Sequence, residues 1–232
     1  MGALLPDGLR ILAPLYEFLF TPLCCHCDAP LSFPERFLCP SCWATLRILD
    51  RSDALYGEAL CRLTAQGECD GLVSLFAFVQ GSPVQSLLHE LKYRGRAGAG
   101  LRLGRMLGRA AGRGGDIAVP VPLHRLRHRE RGFNQSAVLC RGMSAESGIP
   151  VGEYLKRIRP TPSQTSLGEE GRRANVEGAF ALRRGVKRLV AGRSVLLVDD
   201  VVTTGATVRA CARVLKEGGA QGVVVCTVAL AA

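Results

Sequence analysis

The fold is decided by Val195 to Thr207, which reads VLLVDDVVTTGAT. Four apolar residues run into two adjacent acids, Asp199 and Asp200, and a second apolar pair leads to threonines around a glycine. A short continuous apolar run reads as a strand buried on both faces, the type that parallel sheets contain. The next stretch, GATVRACARVLKEGG from Gly205 to Gly219, predicts a helix closed by paired glycines. Open α/β sheets bind ligands beyond the carboxyl ends of their strands, where Asp199 and Asp200 fall. Thr203, Thr204, Gly205, Ala206 and Thr207 then form a loop at a helix N-terminus, whose N–H groups and dipole favour an anion. Threonine hydroxyls add donors, and Gly205 permits close approach or a positive φ. Carboxylates beside a phosphate cradle fit a sugar phosphate, with the acids accepting from hydroxyls and helping to hold Mg²⁺. Two other readings exist. Asp and Thr are favoured near helix N-caps in any protein. A nucleotide triphosphatase also ends an apolar strand in Asp, but it needs a G-x-x-x-x-G-K-[ST] partner, which this chain lacks.

Outward from this stretch, residues 71–232 alternate strand and helix signals. Strands are expected in GLVSLFAFVQG, DIAVPVP, VGEYLKRIR, RSVLLVDD and GVVVCTVAL, and helices in PVQSLLHELKYRG, AGLRLGRMLGRAAGR and NQSAVLCRGMSAESG. Such alternation implies an α/β sheet flanked by helices. Pro160 to Arg173 is polar and reads as a long loop. Before residue 70 come cysteines and prolines with little regular pattern, which places a domain boundary there: 1–70, then 71–232. At the start, Leu9, Leu12, Leu15, Tyr16 and Leu19 predict a short amphipathic helix. That stretch lacks the basic region and small-residue cleavage site of a signal peptide, and no apolar run reaches the roughly 18–20 residues of a membrane span, so a cytoplasmic location is expected.

Charge divides along the same line. Residues 1–90 hold five arginines and no lysine against ten acids, while 91–232 hold 25 basic residues against ten acids. A polyanion partner should therefore meet the second part. Arg125, Arg127, Arg129 and Arg131 crowd one stretch with only Glu130 against them, and Arg–phosphate bonds are among the stronger polar contacts.

Seven of the ten cysteines lie in the first third. Cys24-x2-Cys27 and, eleven residues on, Cys39-x2-Cys42 have the spacing of a four-thiolate zinc site, in which two knuckles each present two sulfurs to a tetrahedral ion. Cys25 or His26 are alternative ligands. Cys61 and Cys69 lack x2 partners, so a second complete site is not expected. The acidic balance of residues 1–90 argues against this module as a nucleic-acid surface and favours the basic stretch 92–131 for any contact with single-stranded DNA.

LLVDDVVTTGAT resembles the phosphoribosyl-pyrophosphate motif of type I phosphoribosyltransferases. LYEFLFTPLCCHC, FLCPSCWATL, LLHELKYRG, VPVPLHRLRHRERGFNQS and VDDVVTTGAT occur in the order seen in the ComF family, competence-associated proteins in which a zinc module precedes a phosphoribosyltransferase-like domain. The resemblance covers nearly the whole chain. It implies a type I phosphoribosyltransferase-like parallel sheet after a small zinc-ribbon-like module. It implies that Asp199 and Asp200 act as the catalytic pair on the ribose 2- and 3-hydroxyls. Thr203 to Thr207 would bind the 5-phosphate, and Lys92, Arg125, Arg129 and Arg131 the pyrophosphate. Pro160 to Arg173 corresponds to the loop that covers the site in working transferases. The implied cofactors are structural Zn²⁺, and Mg²⁺ with phosphoribosyl pyrophosphate. The implied partners are single-stranded DNA and competence machinery such as the ComF-operon helicase or the DNA-processing protein. Two functions follow: a phosphoribosyltransferase with an unknown acceptor, or a non-catalytic DNA-binding adaptor that uses the fold to bind or sense its ligand.

Overall fold

The computed structural model describes residues 21–32, 35–93, 97–159 and 178–231. The expected helix around Leu9 to Leu19 and the loop Pro160 to Arg173 lie outside the described residues. The apolar run of the decisive stretch forms strand β5 (Ser194–Val202), which continues through both acids. It sits between β6 (Gly222–Leu230) and β2 (Ile117–Pro120), with β1 (Gly71–Ala77) beyond β6, all parallel. Successive β5 residues serve opposite faces. Val195 and Leu197 join one core layer, Leu196 and Val198 the other. A strand buried on both sides must be apolar at every position, which is why its sequence does not alternate.

One face of the sheet is covered by α2 (Ala54–Thr64) and α8 (Ala206–Glu217). The other is covered by α3 (Pro83–Tyr93), α4 (Ala97–Ala111) and α6 (Gln135–Ser147). Gly148 closes α6 at φ 73°, as its place after the last periodic residue predicts. The cysteine-rich segment, with the short helix α1 (Pro40–Ala44), shares the second core: Cys24, Leu38 and Cys42 belong with Leu75, Phe76, Val84 and Leu87.

Two elements differ from expectation. VGEYLKRIR does not join the parallel sheet. Val151 makes a single bridge to Ala118 and the chain then leaves, forming β3 (Leu155–Arg157) antiparallel to β4 (Phe180–Leu182). The segment before residue 70 contains α2, started by Asp53, whose carboxylate accepts from the Leu55 N–H at 2.9 Å; Tyr56, Ala59 and Leu63 bury one face at helical spacing. The arginine-rich stretch is a helix, α5 (Arg125–Arg131), followed by Gly132 at φ 77°. A four-residue turn, α7 (Lys187–Val190), precedes β5. No helix among the described residues is long and apolar enough to cross a membrane.

Candidate functional site

The two acids of β5 stand in different surroundings. Asp199 Oδ1 accepts from Ser136 Oγ at 3.1 Å and from the Asp200 N–H at 3.0 Å. Burial, and next the charge of Asp200, push the Asp199 carboxyl up to about 7. Asp200 Oδ1 accepts from the Val201 N–H at 2.9 Å, and its Oδ2 meets Lys92 Nζ at 3.0 Å. Lys92 comes from the last turn of α3. The structure thus brings Lys92 onto the acid pair, where the resemblance implied a pyrophosphate contact.

The loop after β5 leads straight into α8. Gly205 is the N-cap, at φ 77°, and it provides no side-chain cap for the first turn. Ala206 and Thr207 open the helix, and Thr204 Oγ1 lies 3.5 Å from the Ala206 N–H. Thr203 and Thr204 precede them, so the five expected residues form one strand-to-helix turn beside the acids. First-turn N–H groups that Gly205 leaves uncapped, together with the helix dipole, are suited to an anion.

The arginines lie beyond β2. Arg125 starts α5, and its side chain is outside those described. Arg129 is exposed; Arg131 is half-buried and donates to Gln135 Oε1 at 3.1 Å. The RGFNQS motif explains itself here. Asn134 caps α6 by accepting from the Ser136 N–H at 3.1 Å and donates to Val121 O at 3.0 Å, tying α6 to the end of β2. Gln135 orients Arg131, and Ser136 holds Asp199.

Sequence reasoning passed over three contributors. Ser136 sits inside RGFNQS, where the cap signal marks Asn134 rather than the serine. Arg157 of β3 is the second. Burial and the charge of Arg127 lower its pKa, whereas Asp199 raises it, so it belongs to the same charged neighbourhood. The third is Arg62 of α2, whose Nη2 donates to Thr203 O at 3.0 Å. None has a local signal, because each arrives through tertiary packing. A cleft of about 270 Å³ adjoins the end of β2, lined by Pro122, Leu123, Phe133, Asn134, Arg141 and Arg183 among others.

The cysteine pairs converge. The sulfurs of Cys24, Cys27, Cys39 and Cys42 all lie within 4.8 Å of one another, with Cys27 and Cys39 at 3.6 Å. Four thiolates around zinc at about 2.3 Å stand roughly 3.8 Å apart, so this cluster could hold the ion with little adjustment. Burial opposes ionisation of Cys24, but hydrogen bonds from the backbone of Cys27, Cys39 and His26 outweigh it and lower the thiol to about 6. Cys25 and His26 are not in the cluster; His26 Nδ1 lies 3.2 Å from Ser86 Oγ. Cys61 is exposed and Cys69 buried, and neither belongs to it.

The phosphoribosyl transferase domain family matches residues 110–232. The DNA utilization protein YhgH of Escherichia coli K12 is 38% identical over 150 residues, 61% of this chain and 64% of that protein's length. Competence protein F of Haemophilus influenzae is 28% identical over 85% of this chain and 92% of its own. Competence protein ComFC of Bacillus subtilis is 33% identical over 44% of this chain and 39% of its own. Among solved structures, the glutamine phosphoribosylpyrophosphate amidotransferase from B. subtilis aligns over 59% of this chain and 30% of its own, with a TM-score of 0.42 at 23% identity. With its phosphoribosyl transferase domain, its four-cysteine cluster and these relatives, the chain belongs to the ComF family.

Proposed function

We propose that this protein binds phosphoribosyl pyrophosphate with Mg²⁺ at the carboxyl ends of β5 and β2, and that it does so in natural transformation, the role that the names of its competence relatives carry. The observation that carries this reading is the pairing of two carboxylates with a glycine-capped anion loop on one strand-to-helix turn. Asp199 and Asp200 accept from the ribose hydroxyls, Thr203 to Thr207 hold the 5-phosphate, and Lys92 with Arg125, Arg129 and Arg131 face the pyrophosphate. Lys92 leaves Asp200 for the pyrophosphate when the sugar arrives. Two carboxylates are an oxygen donor set that suits Mg²⁺, which neutralises pyrophosphate charge when bound. As pyrophosphate departs, positive charge develops on the sugar, and the acid pair stabilises it. The Cys24, Cys27, Cys39 and Cys42 cluster holds a structural Zn²⁺. Residues 1–70 form the module and 71–232 the ligand-binding domain. The basic stretch 92–131 is the surface for single-stranded DNA, and the protein works in the cytoplasm beside the uptake helicase or DNA-processing protein.

The test is calorimetric titration of the full chain with phosphoribosyl pyrophosphate and Mg²⁺, repeated on Asp199→Asn/Asp200→Asn. Pyrophosphate release and transformation frequency are then assayed in both. Binding by the wild type, loss in the double variant and loss of transformation are expected. A wild type that ignores the sugar phosphate, or a double variant that transforms normally, overturns the reading. Pyrophosphate release decides between transfer and recognition alone.

A further inference from the structure

The segment ahead of the sheet reaches into the phosphate loop. Arg62 of α2 donates from Nη2 to Thr203 O at 3.0 Å. Its neighbour Leu63 is fully buried against Gly205, and a Cβ added to Gly205 would stand 2.6 Å from Leu63 Cδ2. Just after α2, Glu68 is buried and takes Arg209 at 3.1 Å and Arg213 at 2.8 Å, both from α8. Gln66 accepts from Arg209 as well. The same segment therefore grips the loop at Thr203 and Gly205 and the helix that follows it.

We propose that Arg62 is a positioning residue of the phosphate loop, so that the segment before residue 70 completes the ligand site. The inference rests on the reading of that loop given above. A trans peptide holds its C=O and the next N–H on opposite sides. By drawing the Thr203 carbonyl toward α2, Arg62 turns the Thr204 N–H away from α2. An N–H so fixed is a preorganised donor for a phosphate oxygen, and no ordering cost remains when the ligand binds. Stability alone gives poor grounds for an arginine here. Its Nε is buried with no hydrogen-bond partner among the described residues, an arrangement that costs free energy. Tyr56, Ala59 and Leu63 already bury the face of α2. Arg62 spends its guanidinium on a single loop carbonyl that an apolar side chain would leave free to turn.

The experiment uses the full chain as wild type, Arg62→Ala and Arg62→Lys. Affinity is measured for ribose 5-phosphate and, separately, for inorganic pyrophosphate. Amide hydrogen exchange is followed over 203–207 and over 54–64. Arg62→Ala should weaken ribose 5-phosphate about tenfold, the size of one hydrogen bond to a charged donor. It should leave pyrophosphate affinity unchanged and raise exchange in 203–207 while 54–64 stays protected. Arg62→Lys, which keeps one donor, should recover part of the loss. Unchanged ribose 5-phosphate affinity, an equal loss for both ligands, or exchange rising equally in α2 overturns the proposal. If the wild type binds neither ligand, the reading of the site fails, and the exchange of 203–207 then decides by itself whether Arg62 holds the loop.

Discussion

At the scale of single residues, the acid pair is built under tension, and pH exposes it. Asp199 is half-buried beside Asp200, and desolvation, with the charge of Asp200, pushes its carboxyl up to about 7 in the folded chain against the ordinary 3.8. A carboxyl whose folded pKa is raised holds its proton more tightly in the native state. Between about pH 4 and pH 7 the native chain carries more protons than the unfolded one, so stability falls as pH rises through that window and stays at the lower level above it. Asp199→Asn removes this ionisation and keeps an oxygen for Ser136 and for the Asp200 N–H. Thermal unfolding should show the variant melting several degrees above wild type at pH 8, with the gap closing toward pH 4. A gap that is the same at both ends would contradict the assignment. The same substitution should abolish binding of the sugar phosphate, the usual exchange of stability for function at a strained site. This much of the site was legible because strand, acids and loop are contiguous in sequence. Ser136, Arg157 and Arg62 were not, since nothing local marks a serine or an arginine that packing alone carries to the site. The one available hint was RGFNQS, whose Asn-x-Ser pattern at a helix start is a capping signal.

At the scale of elements, the helices over the second face show what sets their spacing. Gly104 of α4 and Gly142 of α6 meet backbone to backbone. A Cβ at Gly104 would stand 2.2 Å from Leu139 O, and one at Gly142 would stand 2.4 Å from Leu101 O. Neither neighbour is a side chain that could turn aside, so Gly104→Ala must push the helices apart and open the core around Leu103, Leu107, Leu139 and Met143. A loss of about 3 kcal/mol in denaturant unfolding is expected, the upper part of the range for overpacking. Gly57→Ala is the contrasting case. It lies inside α2 with nothing within 4 Å of its Cβ position, so it should stabilise by ~0.5–1 kcal/mol through helix propensity. If both substitutions shift stability alike, close approach does not explain Gly104. Periodicity revealed α3, α4, α6, α8 and the four parallel strands, because burial on one or both faces is written into their spacing. It failed for VGEYLKRIR, where the Pro150 carbonyl and the Gly152 N–H pair with Ala118 and the chain leaves the edge of β2 after that single bridge. It also failed for α2, whose Asp53 cap was readable but was overshadowed by the cysteines around it.

At the scale of the whole molecule, the cysteine module and the sheet are one packed body. Arg102 of α4 stacks over the Trp43 ring at 4.5 Å, and a Cβ at Gly98 would stand 3.1 Å from the Phe37 ring. Leu46, Leu75 and Phe76 fill the layer between cluster and sheet. Charge remains divided within that body, and the exposed Arg129 on α5 belongs to the basic part. Arg129→Glu should therefore weaken single-stranded DNA binding and flatten its salt dependence, measured by titration at two ionic strengths. The metal bears on the body as a whole. Four sulfurs gathered within 4.8 Å repel one another once ionised, and an ion that binds only the folded arrangement adds its binding free energy to folding. Because the cluster shares a core with Phe76, Val84 and Leu87, that contribution should reach the sheet rather than remain local. The purified chain should contain one zinc per molecule by elemental analysis. Cys39→Ser should lose it, and Cys25→Ser, lying outside the cluster, should keep it. Chelation should lower the midpoint of one cooperative unfolding transition by more than about 5 °C. A separate low-temperature transition with the main one unmoved would mean that the module unfolds alone, and that the shared core does not couple it to the turn after β5.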